Sequence, residues 1–404
     1  MSFTSSRDLR LVVGAKAVSL LGDEVATVAL VLRLQASGAG AGAVAALLIA
    51  NLAPIVLLTG VVGRLVDRHD NRRLLIASSA AQAAVCVVLA FVSSTPALLA
   101  LVALLGAGQA VNGATWQAML PSLVAPADLA RAVSRSQAAT TLAGVAAPAL
   151  SGLLVGAYGA SVPLLVDAAT FLAVTAAAVA LRTRRVPEPA ADAARERGGL
   201  AIVWHHPLLR TTIVLLGLFV LLGSMVNVAE VFLVRATLHA STLWYGLTGT
   251  GYALGVLAGA LLAGRVRGAG AHARWFVAAA AGLGIGLVGM GLAPDVAALL
   301  VICAGAGVAN GVLNVCTGSL VMGTARPAER GRVGAVLGGV VSATQLAAYA
   351  VGGALAGAAS PRAIFVGAGV LGLLAPLLAG AAVIRAAGQR SEPVAAAGQA
   401  AAAA

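Results

Sequence analysis

The chain has 404 residues, of which 60% are hydrophobic and only 10% charged, with a formal net charge of +12. A soluble core cannot hide that much apolar surface, so a soluble enzyme or binding module is excluded. The apolar runs are continuous rather than alternating and rich in Ala, Leu, Val and Gly, which excludes a membrane β-barrel as well.

Runs of about 20 apolar residues, each long enough to cross roughly 30 Å of hydrocarbon as a helix, recur along the whole sequence. In chain order the predicted spans are 9–36, 43–65, 74–94, 97–121, 133–157 and 162–181, then 210–236, 244–264, 274–292, 296–322, 333–358 and 361–384. The expected fold is an all-α membrane protein with twelve transmembrane helices in two six-helix halves. The halves are 1–181 and 210–384, joined by a cytoplasmic central loop at 182–209 and followed by a disordered cytoplasmic tail at 385–404. Within the loop, GLAIVWHHPLLR from Gly199 reads as a short helix lying at the interface, with His205 and His206 in structural roles. The N-terminus carries no short apolar segment ahead of a small-residue cleavage site, so the first span is expected to be retained. Cys86, Cys303 and Cys316 have spacings that suit neither a disulfide framework nor a zinc site, and are expected to pack.

The basic residues sort by side of the membrane. Of the 26, 22 fall on the termini, the central loop and alternate connections, whereas Arg33, Arg235 and Arg362 lie on the opposite side and Lys16 lies inside the first span. The positive-inside rule then places both termini in the cytoplasm, which requires an even number of spans.

The two halves match at a constant offset of 201 residues. Leu20-Leu21-Gly22 falls on Leu221-Leu222-Gly223, Gly63-Arg64 on Gly264-Arg265, and Gly106 on Gly307. Pro126-Ala127-Asp128 falls on Pro327-Ala328-Glu329, with Arg131 on Arg332, all in one ungapped frame. An internal six-span repeat places a substrate site between the halves near the midplane. Small-residue ladders, Gly251, Gly255 and Gly259 in span eight and Gly282 and Gly286 in span nine, read as helix-packing faces.

The connection after span two reads GRLVDRHDNRRLL from Gly63. It resembles the loop signature of the major facilitator superfamily, in which a Gly and three residues precede Asp-Arg and a basic cluster. Gly63, Asp67, Arg68, Arg72 and Arg73 fit, while Asp70 and Asn71 stand where a Gly and a basic residue are usual. Physically, Gly63 permits close helix approach, and Asp67 can accept hydrogen bonds from arginines or a helix N-terminus, so the stretch is expected to act as a latch on one orientation of the halves. AGVAAPALSG from Ala143 is similar to the Gly-Pro-rich helix motif of proton-coupled antiporters in this superfamily, with Ala147, Pro148 and Gly152 at its small and proline positions. LLGDEVATVAL from Leu20 resembles the first span of the branch containing macrolide-efflux proteins and the enterobactin exporter, a branch of the drug:proton antiporters.

Ionisable groups within hydrocarbon are costly and usually face a cavity or a partner. Span one carries Lys16, Asp23 and Glu24, span six Asp167 and span seven Glu230. Asp167 and Glu230 are expected nearer the outer surface. Asp23 and Glu24 point about 100° apart on a helix, so one should face the cavity and the other a neighbouring helix. Asp23, Glu24 and Lys16 are the proton-coupling candidates. The resemblance implies that spans one, four, seven and ten line the central cavity. That makes Asn112, Trp116 and Gln117, Asn227 and Glu230, and Asn310 and Asn314 the substrate-cavity candidates.

The resemblance implies a secondary transporter rather than an enzyme: proton-coupled efflux of a small amphipathic molecule, such as an antibiotic or siderophore, by alternating access. An importer or a lysophospholipid flippase of the same fold is the alternative, and a non-transporting sensor or membrane-embedded enzyme has less support, since no HExxH and no GxxxxGK[ST] occurs. The expected partners are the small-molecule substrate, protons and membrane lipid, with no nucleic acid, cofactor or metal. The protein is expected to be a monomer in a bacterial cytoplasmic membrane, crossing it many times.

Overall fold

The computed structural model describes residues 3–125, 128–181 and 199–388. They form fourteen α-helices and, among the described residues, no strand. α1 (Phe3–Ala36), α2 (Gly40–Leu57), α3 (Thr59–Arg68), α4 (Asn71–Phe91), α5 (Thr95–Met119), α6 (Leu129–Tyr158) and α7 (Ser161–Ala180) precede a short α8 (Gly199–His205). α9 (Pro207–Phe232), α10 (Thr242–Ala263), α11 (Ala269–Leu292), α12 (Val296–Thr324), α13 (Arg330–Ala358) and α14 (Pro361–Gly388) complete the chain.

Eleven of these helices are long and apolar enough to cross a membrane. The exceptions are the short α3 and α8, and α1, whose 34 residues are interrupted by Lys16, Asp23 and Glu24 and end near Arg33. The second predicted span, expected as one helix, is two: α2 contains Pro54 and is interrupted at Leu58, whose N–H still donates to the Pro54 carbonyl at 2.9 Å, and Thr59 Oγ1 donates back to the Ile55 carbonyl at 2.8 Å. The last helix runs to Gly388, so 385–388 is helical, while the remainder of the tail and residues 182–198 of the central loop lie outside the described residues.

The chain divides into two compact units, one of Met1–Ala193 with His239–Thr250, the other of Ala194–Leu238 with Gly251–Ala404. The repeat offset reappears as matched contacts within each unit. In the first, a Cβ on Gly106 would stand 2.2 Å from the Asn51 carbonyl oxygen; in the second, one on Gly307 would stand 2.1 Å from that of Tyr252. Ser161 Oγ donates to the Ala90 carbonyl at 2.9 Å, and Arg362 Nη1, 201 residues on, donates to that of Gly291 at 3.1 Å. Ser94 caps α5 and Asp295 caps α12, each accepting from the backbone N–H three residues later. Each pair shares the 201-residue offset, so the two units use one packing plan.

Glycine is what lets these helices meet along their backbones. Gly255 and Gly259 of α10 lie against the carbonyls of Ala304 and Val308, and Gly307 and Gly311 of α12 lie against those of Tyr252 and Val256. The two ladders interlock, as small residues do where apolar lipid offers no hydrophobic drive for association. In the first unit, Gly246 and Gly152 meet in the same manner, each within 2.4 Å of a facing carbonyl oxygen if given a Cβ. Pro148 lies between, and Ala147 beside it is fully buried. Next to the proline, the Thr250 hydroxyl enters the α6 ladder: it donates to the Val145 carbonyl at 2.9 Å and accepts from the Ala149 N–H at 3.1 Å. A side chain thus bridges the pair that would otherwise bond directly.

α8 packs Val203 against Leu209, Ile213, Val321 and Val333, leaving Leu200 and Trp204 exposed, with the Arg210 guanidinium 5.8 Å from the Trp204 ring centre.

Gly255→Leu forces a side chain into the Ala304 backbone and is expected to cost about 1–3 kcal/mol or more, read as a lower Tm in detergent. Thr250→Val leaves the Ala149 N–H and Val145 carbonyl without their bridge and is expected to cost about 1–3 kcal/mol, with Thr250→Ser restoring most of the loss.

Candidate functional site

Polar residues on α1 recur along one face: Lys16, Ser19, Asp23 and Thr27. They look onto Gln109, Asn112, Gly113 and Trp116 of α5, and with Asn51 of α2 and Thr140 of α6 they enclose a cavity of about 240 Å³ in the first unit. Asp23 Oδ1 accepts from Gln109 Nε2 at 2.9 Å, and the Gln109 carbonyl oxygen in turn accepts from Asn51 Nδ2 at 3.5 Å. Both carboxyls of the Asp23-Glu24 pair open on this cavity, although the 100° step turned one toward a neighbouring helix. What differs is their anchoring. Asp23 is half-buried and held by the Gln109 amide, whereas Glu24 is exposed to the cavity and makes no hydrogen bond among the described residues. Lys16 lines the same cavity but forms no ion pair with either carboxylate.

Asn112 is buried in a different role. Its amide donates to Gln82 Oε1 at 2.6 Å and to Ser79 Oγ at 3.3 Å, and its oxygen accepts from Ser78, which ties α5 to α4. Gly108 makes room for Gln82, since a Cβ there would stand 2.5 Å from the Gln82 side chain. Trp116 lines the cavity while its ring packs in a core with Val12, Leu75, Met119 and Val174. Gln117 is exposed and lies outside the cavity lining.

Behind Asp23, a smaller void of about 10 Å³ is lined by Asp23, Asn51 and Gln109 and by Asp167 of α7. Asp167 is 1% exposed, accepting from Thr170 Oγ1 at 3.1 Å on one oxygen and from the Cys86 thiol at 3.3 Å on the other. Gly22 sets the approach of α1 to α7: a Cβ there would fall 2.4 Å from Asp167 Oδ1 and 2.4 Å from Thr170 Oγ1. Cys86 is therefore a hydrogen-bond donor to a carboxylate as well as a packing residue.

The remaining predicted residues fall elsewhere. In the second unit, Asn314 donates to Asn310 one turn away, Asn227 is exposed, and Glu230 is half-buried without a hydrogen bond among the described residues. In the connection after α3, Asp70 rather than Asp67 caps α4, accepting from the backbone N–H of Arg72 and Arg73. Arg72 donates to the Val179 carbonyl at the end of α7; Gly63 and Asp67 are half-buried on α3, and Arg68 and Arg73 are exposed. Ala147, Pro148 and Gly152 sit in the α6 contact already described. The sequence alone does not single out Asn51 or Gln109, nor does it reveal that Asp167, expected nearer the outer surface, lines a void that Asp23 also lines. Gln109 carried a signal, standing three residues before Asn112 on the same face of an apolar helix.

Chemically, a carboxyl held by a neutral amide at the edge of a polar cavity can exchange a proton with water or take a cation. Among the described residues no group of three His, Cys, Asp or Glu is placed to hold a metal.

The model of the Major Facilitator Superfamily matches residues 12–235 and 213–403. No curated protein matches the chain. Among solved structures, a bacterial homologue of the human lysosomal transporter Spinster, inward-facing and unoccupied, is similar with 14% identity and a TM-score of 0.67 over 96% of each chain. A variant of the nucleoside transporter NupG is similar with 11% identity and a TM-score of 0.72, over 93% of this chain and 99% of that one. A variant of the peptide transporter POT in complex with alafosfalin is similar with 14% identity and a TM-score of 0.72 over 94% of each. These likenesses show the fold alone; the family match along nearly the whole length shows that the chain belongs to the Major Facilitator Superfamily, as a secondary active membrane transporter.

Proposed function

We propose that the protein exports a small amphipathic molecule in exchange for protons, with Asp23 as the proton carrier. The supporting observation is the cavity itself, where Asp23 and Glu24 share about 240 Å³ with one lysine that pairs with neither. A carboxylate left without a counter-ion in a low-dielectric bundle is costly, and a proton relieves that cost as readily as a bound cation does. Leu20 and Trp116 give the same cavity apolar wall, which suits a substrate with both polar and apolar parts.

In this reading a proton on Asp23 and the substrate occupy the cavity in turn, so the downhill movement of one drives the other uphill. The resemblance of LLGDEVATVAL to the macrolide-efflux and enterobactin-exporter branch supports export as the direction. The bias of 22 of the 26 basic residues supports both termini on the cytoplasmic side of the membrane.

Energised inverted vesicles offered a panel of antibiotics, siderophores and lysolipids should take up one class, and a protonophore should abolish that uptake. Asp23→Asn should keep substrate binding and lose accumulation, falling to passive equilibration. A variant that concentrates substrate at the normal rate would remove Asp23 from coupling.

A further inference from the structure

The void behind Asp23 joins two carboxyl groups that belong to different helices and lie 144 residues apart. Asp23 borders both the large cavity and the small void; Asp167 borders only the void and is 1% exposed. At about 10 Å³ the void is the size of a single water, and Asp23, Asp167, Asn51 and Gln109 offer the polar partners such a water needs. α1 and α7 come this close only because residue 22 is glycine.

The groups facing the pair are few. α1 contributes Glu24 and, two turns away, Lys16; α4 contributes the Cys86 thiol; α2 and α5 contribute the neutral amides of Asn51 and Gln109; α7 adds the Thr170 hydroxyl. No cation pairs with either carboxyl among the described residues. Two nearby carboxylates in a dry environment repel one another strongly, whereas one shared proton removes the repulsion.

We propose that Asp167 is the second carboxyl of the coupling site, exchanging a proton with Asp23 through one water in the void. In the forward step the O–H bond of protonated Asp23 breaks as the water takes its proton. The water gives one of its own protons to a carboxylate oxygen of Asp167. The water is regenerated, and the negative charge has moved from Asp167 to Asp23. The Cys86 thiol occupies a lone pair on one Asp167 oxygen, and the Thr170 hydroxyl is shared between the other and the Asp167 backbone carbonyl, 2.8 Å away, which orients the carboxylate while leaving lone pairs free to receive the proton. This rests on the reading of Asp23 as the proton carrier and adds to it a second proton site on a residue that does not line the substrate cavity.

The test is infrared difference spectroscopy of the full-length protein in lipid nanodiscs across a pH titration, reading the protonated-carboxyl C=O bands and the Cys86 S–H stretch. Asp167→Asn should displace the Asp23 midpoint by about one pH unit or more, the size that marks a coupled pair. Coupling is reciprocal, so Asp23→Asn should displace the Asp167 midpoint equally, and this arm decides the matter if Asp167→Asn does not fold. The S–H band should move at the Asp167 midpoint, a change that a purely structural aspartate would not produce. Midpoints that ignore the partner substitution, or an S–H band indifferent to pH, overturn the relay. These spectra are independent of the vesicle experiment: proton-driven uptake with uncoupled midpoints removes the relay alone, and coupled midpoints without proton-driven uptake remove the export reading.

Discussion

A carboxyl group inside a membrane-spanning bundle has no bulk water to solvate it, and the surroundings of Asp23 answer that constraint piece by piece. Gln109 supplies a donor from α5, Asn51 holds Gln109 from α2, and the cavity gives the remaining lone pairs access to water. Asp167 meets the same constraint differently, through Thr170 and the Cys86 thiol, with almost no exposure. The glycines follow from this. Gly22 permits α1 to approach α7, Gly108 admits Gln82, and Gln82 in turn holds Asn112, so a polar network is assembled from helices that are otherwise Ala, Leu and Val.

The internal repeat separates what is scaffold from what is chemistry. Matched positions keep their packing: Gly106 and Gly307 touch equivalent carbonyls, and Ser94 and Asp295 cap equivalent helices. The polar site is not duplicated. At the 201-residue offset Asp23 becomes Ser224, Glu24 becomes Met225, Asn51 becomes Tyr252 and Asp167 becomes Ala368. One unit thus carries three intramembrane carboxyls, Asp23, Glu24 and Asp167, at positions where the other has Ser224, Met225 and Ala368, its own intramembrane carboxyl, Glu230, lying elsewhere on α9.

Much of the fold was legible because hydrocarbon thickness dictates helix length, so uninterrupted apolar runs can be read directly. The break at Leu58 was less visible, since the apolar run continues through it without a change in hydropathy. The carboxyl pair shows where a linear reading stops. Asp23 and Asp167 both stand out in the sequence as intramembrane acids, but position along a helix says nothing of which helix stands beside it. Gln109 is hidden for the same reason, because only its proximity to Asp23 sets it apart from other polar residues on α5. Thr250 reads as an ordinary residue in a Gly-rich helix, yet it bridges a backbone pair next to Pro148. Packing faces are legible in the sequence as small-residue ladders, but the partner helix each one meets is not.

The account stands on proton movement tied to substrate movement through the Asp23 cavity. The most direct measurement reconstitutes the purified protein in proteoliposomes with a pH-sensitive dye inside and the membrane potential clamped at zero, then imposes a gradient of the substrate class found in vesicles. The account predicts a proton flux opposite in direction to the substrate flux and absent from liposomes carrying Asp23→Asn protein. Substrate movement with no accompanying proton flux in the unaltered protein would contradict it.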